Sequence, residues 1–153
     1  MSESMTVLLI QPESYPKEIT MDTGLEALQA AVGGYIEVVY PFDDPVGLVV
    51  NEEGKINGLP LNRALRDEGG AIYDVIAGDF LVVGLTEDSF GSLTPEQLEK
   101  YEQHFHQPEA FMKMGRSIMA LPLPDEMTRE NRPQLDQELA DRVKHAVDRG
   151  ESR

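Results

Sequence analysis

Four short apolar runs constrain the fold of this chain more than any other feature of its sequence. They occupy residues 5–10 (MTVLLI), 35–40 (YIEVVY), 46–50 (VGLVV) and 80–85 (FLVVGL), and turn-forming residues follow each one. Runs of this length and composition are typical of β-strands and fall far short of the roughly 20 apolar residues that a membrane span needs. The PFDDP turn between the second and third runs predicts that these two strands pair antiparallel.

Two segments carry the signals of helix starts. Thr23 and Glu26, and again Thr94 and Gln97, have capping-box spacing, in which each side chain can satisfy a free backbone amide of the other residue. Glycine at Gly33 predicts the end of the first helix, and the second is expected to end near residue 106. The residues predicted to be buried on these helices are Leu25, Leu28, Val32, Leu98, Tyr101 and Phe105.

The remaining segments predict smaller elements. Residues 17–21 are expected to form a short edge strand and residues 67–70 a turn, whereas residues 72–77 fit either a strand or a tight turn. Residues 134–149 carry an apolar side chain at every fourth position, which predicts an amphipathic helix. Such a helix could dock on the domain, pair with a second copy of the chain or fray.

The element pattern predicts an α+β fold, with a small, mostly antiparallel sheet, one or two helices packed on one face and a C-terminal helical extension. The domain is expected over residues 1–106 and a connector rich in Met and Pro over residues 107–133. Residues 134–153 are expected to form the C-terminal amphipathic helix or a frayed tail.

The charge of the chain is concentrated in its first part. Residues 1–90 carry 16 acidic and 4 basic side chains, a balance of −12 within a total of −15. Since phosphate binding requires clusters of Lys and Arg, we expect no direct binding of nucleic acid and no membrane association. The chain has no cysteine and starts without the basic region of a secretory signal, so we expect a cytoplasmic protein.

Acidic residues occur in four adjacent pairs, each at a predicted loop tip. Such pairs can bind Mg²⁺ or share a proton when a cleft holds them, but at a solvated tip they titrate normally. They therefore form either a solvated surface or a face that a basic partner recognises. The four pairs are Asp43-Asp44, Glu52-Glu53, Asp67-Glu68 and Glu87-Asp88.

The segment NEEGKINGLPLNRAL, residues 51–65, allows two interpretations. As a structural corner, it forms a leucine-pinned Ω loop in which Asn62 caps a short helical turn at residues 63–65 and Arg63 pairs with Asp67. As a binding loop, it uses Asn57, Asn62 and Arg63 to hydrogen-bond a carboxylate, a phosphate or a base edge. The sequence leaves both interpretations open.

The usual signatures of catalysis are missing from the sequence. No glycine-rich phosphate loop and no nucleophile elbow is present, so we expect no catalytic residues and no cofactor. The pair His104 and His106 is the best candidate for metal binding, but helix positions two apart face different directions, so we expect no metal site there.

Around residues 51–65 the sequence resembles the domain-of-unknown-function family 3846, whose members are small proteins of phages, plasmids and bacteria. The resemblance covers residues 8–105 and is most specific at NGLPLNRAL and IAGDFLVVG. It implies no activity and no catalytic residues, but it favours an accessory protein of a mobile element. The matching residues are Gly33, Gly34, Asn57, Gly58, Pro60, Asn62 and Arg63.

Two hypotheses of function follow. In the first, the protein is a non-enzymatic interaction module whose acidic loops, including Glu52, Glu53, Asp67 and Glu68, bind a basic host or mobile-element protein. Mimicry of nucleic acid is its sharpest form. In the second, the protein binds a small ligand or nucleotide through the loop that runs from Asn57 to Arg63. In either case the C-terminal helix could join two copies of the chain.

Overall fold

The computed structural model describes residues 3–148, which form ten strands, three α-helices and one 3₁₀ helix. The strands are β1 Ser4–Ile10, β2 Lys17–Asp22, β3 Ile36–Val39, β4 Val46–Asn51, β5 Leu61–Arg66, β6 Ile72–Ala77, β7 Phe80–Leu85, β8 Phe90–Gly91, β9 Glu109–Met114 and β10 Ser117–Pro122. The α-helices are α1 Leu25–Val32, α2 Pro95–His104 and α3 Arg132–Asp148, and the 3₁₀ helix is Asp125–Met127.

The main sheet is antiparallel and has the strand order β2-β1-β7-β4-β3, with the short β8 beside β7. The four apolar runs are therefore strands, and the pairing of β3 with β4 and the edge position of β2 are confirmed. Residues 72–77 are a strand that pairs with β5 in a separate two-stranded sheet. The predicted α+β class, with its mostly antiparallel sheet and C-terminal helix, is confirmed.

The sheet has an apolar core on each face because successive residues of a strand point to opposite sides. On the central strand β7, Leu81 and Val83 pack with Leu28 and Val32 of α1. The other face of β7 carries Phe80 and Val82. These pack with apolar side chains of α2, the segment after it and the β5–β6 hairpin, which are Tyr101, Phe105, Leu65 and Ile76. One helix therefore lies on each face of the sheet, which corrects the prediction that the helices pack on one face, because both faces of β7 are apolar.

The first helix begins differently from its prediction. Gly24, not Thr23, is the N-cap residue of α1, and no side chain caps this end of the helix. The backbone amide of Thr23 donates to the carbonyl of Glu3, which holds Thr23 against the start of β1. Leu25, the first residue of α1, was predicted to be buried but is 56% exposed. Gly33 ends α1 as predicted, with a φ of 78° in the left-handed region that favours glycine.

The region predicted as a connector contains the β9–β10 hairpin, whose strands pair in register from Glu109 opposite Pro122 to Met114 opposite Ser117. The turn contains Gly115, with a φ of 64°. The predicted C-terminal helix is present as α3, although its predicted end at Arg149 and the rest of the tail lie outside the described residues. None of the helices described here is long and apolar enough to cross a membrane.

Candidate functional site

The segment of residues 51–65 begins at a buried anchor. Asn51 donates from Nδ2 to the carbonyl of Val32 at 3.0 Å, and its Oδ1 accepts from the amide of Glu53 at 2.9 Å. Consecutive turns follow up to Gly58, and Leu59 donates its amide to the carbonyl of Gly54 at 2.9 Å. The first half of the segment is thus a folded loop, as expected, and it exposes Glu52 and Glu53 to solvent.

Asn62 does not cap a helical turn, because residues 61–66 form strand β5. Its side chain is fully buried and donates from Nδ2 to the carbonyls of Ile10 and Gly78, at 2.9 and 2.8 Å. Its Oδ1 accepts from Nη1 of Arg63 at 3.0 Å. The prediction of a capped helical turn is therefore wrong, and this amide links β5 to the end of β1 and to the β6–β7 turn.

Arg63 is also buried, with 1% of its surface exposed. Its guanidinium donates from Nε to the carbonyl of Phe105 at 3.0 Å and from Nη2 to the carbonyl of Ser14 at 2.7 Å. The predicted ion pair with Asp67 is thus wrong, since the donors of Arg63 are bound inside the domain. Burial lowers the pKa of Arg63 to about 10, although the negative charges of Glu109 and Glu130 act to raise it. Arg63 therefore stays protonated at neutral pH.

The three residues of the predicted binding loop do not share a surface. Asn57 is exposed in the turn region, whereas Asn62 and Arg63 are buried and hydrogen-bonded to the domain interior. A ligand at Asn57 would therefore not reach the other two side chains unless the strand β5 moved. The arrangement corrects the prediction that these side chains converge on one ligand, because the polar groups of Asn62 and Arg63 serve to join segments of the chain.

The acidic pairs divide into two groups. The side chains of Glu52, Glu53, Asp67, Glu68, Glu87 and Asp88 are exposed, and none of them forms an ion pair within residues 3–148. Asp67 has a local function as well, because its Oδ1 accepts from the amides of Gly69 and Ala71 at 2.9 and 3.0 Å and closes the β5–β6 turn.

Asp44 belongs to the second group, since its carboxylate is occupied. Its Oδ2 accepts from Nζ of Lys100 and from the hydroxyl of Tyr101, each at 2.6 Å, which ties the β3–β4 loop to α2. The hydrogen bond from Lys100 has the largest effect in lowering the pKa of Asp44, and the bond from Tyr101 lowers it further. Burial and the bond to Asp44 raise the pKa of Tyr101, so both groups keep their ordinary protonation at neutral pH.

Most of the cations of the domain also form ion pairs with carboxylates of the chain. Lys55 pairs with Asp74, Lys100 with Asp44, and Arg66 with Glu109 of the following hairpin at 2.5 Å. Arg63 is buried. The exposed acidic pairs therefore face solvent without an ion pair in the described part of the chain.

The two histidines of the predicted helix end lie in different surroundings. The ring of His104 contacts those of Phe42, Tyr101 and Phe105, and burial lowers its pKa. His106 stacks on Tyr15, and its Nδ1 lies within hydrogen-bond distance of the Glu102 carboxylate, at 2.8 Å. Among the described residues, no group of three or more His, Asp or Glu side chains is arranged to hold a metal ion.

Sequence reasoning missed a second surface, a groove between the β5–β6 and β9–β10 hairpins. Lys113 and Arg116 of the second hairpin line it together with Lys55 and Arg66. The signal for the hairpin was present as Gly115 between the short runs FMKM and SIMAL. Pro122 and Pro124 and the irregular alternation of apolar residues concealed it.

Comparison with known proteins gives one match. The family model described as domain of unknown function DUF3846 matches residues 5–106, which are two thirds of the chain and end just after α2. No curated protein and no solved structure shows significant similarity to the chain. The β9–β10 hairpin and α3 lie beyond the matched region.

Proposed function

We propose that this chain, which belongs to the DUF3846 family, is a non-enzymatic protein-interaction module of a mobile element that acts in the cytoplasm on a basic partner protein. One observation carries the proposal. The cations Lys55, Arg66 and Lys100 are paired and Arg63 is buried, whereas three acidic loop pairs stay exposed without an ion pair in the described part of the chain. A surface of this kind attracts a partner of opposite charge and speeds encounter with it.

The acidic pairs lie on turns that the fold holds in place. Asn51 fixes the start of the loop that carries Glu52 and Glu53, and the side chain of Asp67 closes the turn that carries Glu68. Turns that are fixed in this way lose little backbone freedom on binding, which favours recognition of a fixed set of basic side chains. The most specific version of the proposal is a partner protein whose basic channel normally holds the phosphates of DNA or RNA.

The proposal is tested by capture of partners from host-cell lysate at low and high salt, with identification by mass spectrometry. We expect the wild-type chain to retain a basic protein at about 50 mM NaCl and to release it at about 500 mM, because screening weakens contacts between exposed charges. A variant with a charge change of +7 should lose this partner. It carries Glu52→Lys, Glu53→Lys, Glu68→Lys and Asp67→Asn, the last chosen to preserve the turn.

The matched control carries the same change of charge on the C-terminal part of the chain, through Glu126→Lys, Asp136→Lys, Glu138→Lys and Asp141→Asn. These residues are exposed and lie on the 3₁₀ helix and α3. It should retain the partner. Loss of the partner in both variants would show an effect of net charge alone, and capture that resists salt would contradict the proposal.

A further inference from the structure

The groove between the two small sheets has a volume of about 1080 Å³. One wall is formed by the β5–β6 hairpin and the loop before it, and the other by the β9–β10 hairpin. The groove is thus built partly from the family domain and partly from the chain beyond it, and none of the exposed acidic pairs lines it.

Strand edges open into this groove. Consecutive residues line it on both walls, residues 72–75 of β6 and residues 117–120 of β10. Because neighbouring residues of a strand face opposite sides, a strand that contributes consecutive residues presents its edge. Within residues 3–148, β6 pairs only with β5 and β10 only with β9. An edge of this kind is a template for pairing with another strand.

The two edges are not equivalent. On β6, Asp74 accepts the amide of Val75 at 2.8 Å, which occupies a backbone donor, and the β5–β6 pairing is interrupted by two irregularities in register. The pairing of β9 with β10 is regular over six residue pairs. The edge of β10 is therefore the better template.

Apolar side chains and cations share the groove. Tyr73 and Met114 are 55% and 54% exposed there, and Ile72, Ile118 and Met119 add further apolar surface. Four cations line the groove, which are Lys55, Arg66, Lys113 and Arg116. Lys55 pairs with Asp74 and Arg66 with Glu109, so the excess positive charge is that of Lys113 and Arg116. Lys113 and Arg116 form no ion pair with any described residue.

We propose that this groove binds an extended acidic segment of a partner protein, which adds as a strand to the edge of β10. The backbone edge favours a peptide over nucleic acid, and the excess of cations selects acidic side chains in a chain whose net charge is −15. Side chains on one face of the added strand contact the apolar surface near Tyr73 and Met114, and its carboxylates face Lys113 and Arg116. The proposal goes beyond the acidic loops and does not depend on them.

The test starts from a library of random eight-residue peptides displayed on phage and selected on the full chain. We expect the enriched peptides to combine Asp or Glu with alternating apolar residues. The affinity of a synthetic enriched peptide, measured by fluorescence anisotropy, should fall about tenfold or more in the double variant Lys113→Glu and Arg116→Glu. The double variant Arg142→Glu and Lys144→Glu, with the same charge change on exposed residues of α3, should bind within about twofold of wild type.

Backbone methylation tests the strand pairing itself. Peptides with N-methyl groups on one set of alternate residues should lose about tenfold or more in affinity, while methylation of the other set should change it little, since a strand turns alternate amides toward its neighbour. Equal binding by the two methylated peptides would overturn strand addition.

Three further results would overturn the proposal. They are enrichment of peptides without acidic residues, equal weakening by both double variants, and displacement of the peptide by single-stranded DNA with higher affinity. A wild-type dimer in sedimentation velocity that Lys113→Glu and Arg116→Glu dissociate would assign the groove to a second copy of the chain instead. Circular dichroism of each variant confirms that the fold is retained, as expected for exposed residues.

Discussion

Arg63 shows how one residue can join segments that are distant in sequence. Its guanidinium binds carbonyls of Ser14, in the β1–β2 loop, and of Phe105, at the end of α2. The loop and the helix end therefore depend on a cation in β5 for their position. A buried charge of this kind requires hydrogen bonds at its donors to offset the cost of desolvation.

Replacement of Arg63 by Met should lower the free energy of unfolding by about 3 kcal/mol or more, because the carbonyls that it binds would be left buried and unpaired. Urea unfolding measures the difference. Lys113→Met is the control, since Lys113 is exposed and the change should stay within about 0.5 kcal/mol. An Arg63→Met variant as stable as wild type would show that these carbonyls find water instead.

A second residue, Glu130, links the segment before α3 to the β1–β2 loop. Its carboxylate accepts from the hydroxyl of Ser14 and from the amide of Tyr15 at 3.2 Å. Partial burial raises the pKa of Glu130, but these hydrogen bonds outweigh it, and the resulting pKa lies below the ordinary range of a glutamate. The folded state therefore favours the ionised form.

The stabilisation by Glu130 should be fully present at a pH above the ordinary pKa of a glutamate. It should be lost as the pH falls through the lowered pKa of the folded state. The difference in Tm between wild type and Glu130→Gln should thus shrink as the pH falls from about 6 to about 3. Scanning fluorimetry over this range measures it. Glu126→Gln, an exposed control on the 3₁₀ helix, should show a difference that stays constant with pH.

At the scale of elements, the two predicted capping boxes provide a natural comparison. In α2, the amide of Gln97 donates to Oγ1 of Thr94 at 3.1 Å and the amide of Thr94 donates to Oε1 of Gln97 at 2.9 Å. In α1, the equivalent Thr23 caps nothing because Gly24 takes the N-cap position. The same sequence pattern therefore has two outcomes, depending on where the preceding strand holds the backbone.

Thr94→Ala should lower the free energy of unfolding by about 1 kcal/mol, the usual cost of losing an N-cap side chain. Thr23→Ala is the matched control and should change it by less than about 0.5 kcal/mol. Chemical denaturation of the two variants beside wild type makes the comparison. Equal losses would mean that Thr23 caps α1 in solution.

At the scale of the whole molecule, the acidic pairs and the basic groove give the protein two surfaces of opposite charge. The exposed side of α3 is a third surface, where Leu139 and Val143 are 48% and 64% exposed. The start of α3 is anchored by the bonds of Glu130, just before the helix, to the β1–β2 loop and by the pair of Arg132, its first residue, with Glu13 at 3.1 Å. Self-association through this helix, one of the three alternatives that its sequence leaves open, stays a prediction.

Sedimentation velocity over a range of concentrations should show a dimer that Leu139→Asp dissociates, because a charge on the apolar stripe opposes its burial between two helices. Ala140→Asp adds the same charge at an adjacent, exposed position and should leave the dimer intact. A monomer at all concentrations, or equal effects of the two variants, would contradict self-association through this stripe.

Local patterns in the sequence were sufficient for the five longer strands of the main sheet, the start of α2, the α+β class and the charge layout, whereas the short β8 was not predicted. These features depend on neighbouring residues, on side-chain period or on composition, all of which can be read along the chain. The exposed acidic pairs at Glu52-Glu53 and Asp67-Glu68 were predicted for the same reason, since turn chemistry is local.

The roles of Asn62 and Arg63, and the groove beside β10, could be recognised only from the folded structure. The carbonyls that these two side chains bind belong to residues up to 52 positions away, and no local pattern indicates that a polar residue will find such partners. The groove likewise forms only where two hairpins distant in sequence come together. Burial of a polar group depends on which segments pack over it, and this depends on contacts between distant parts of the chain.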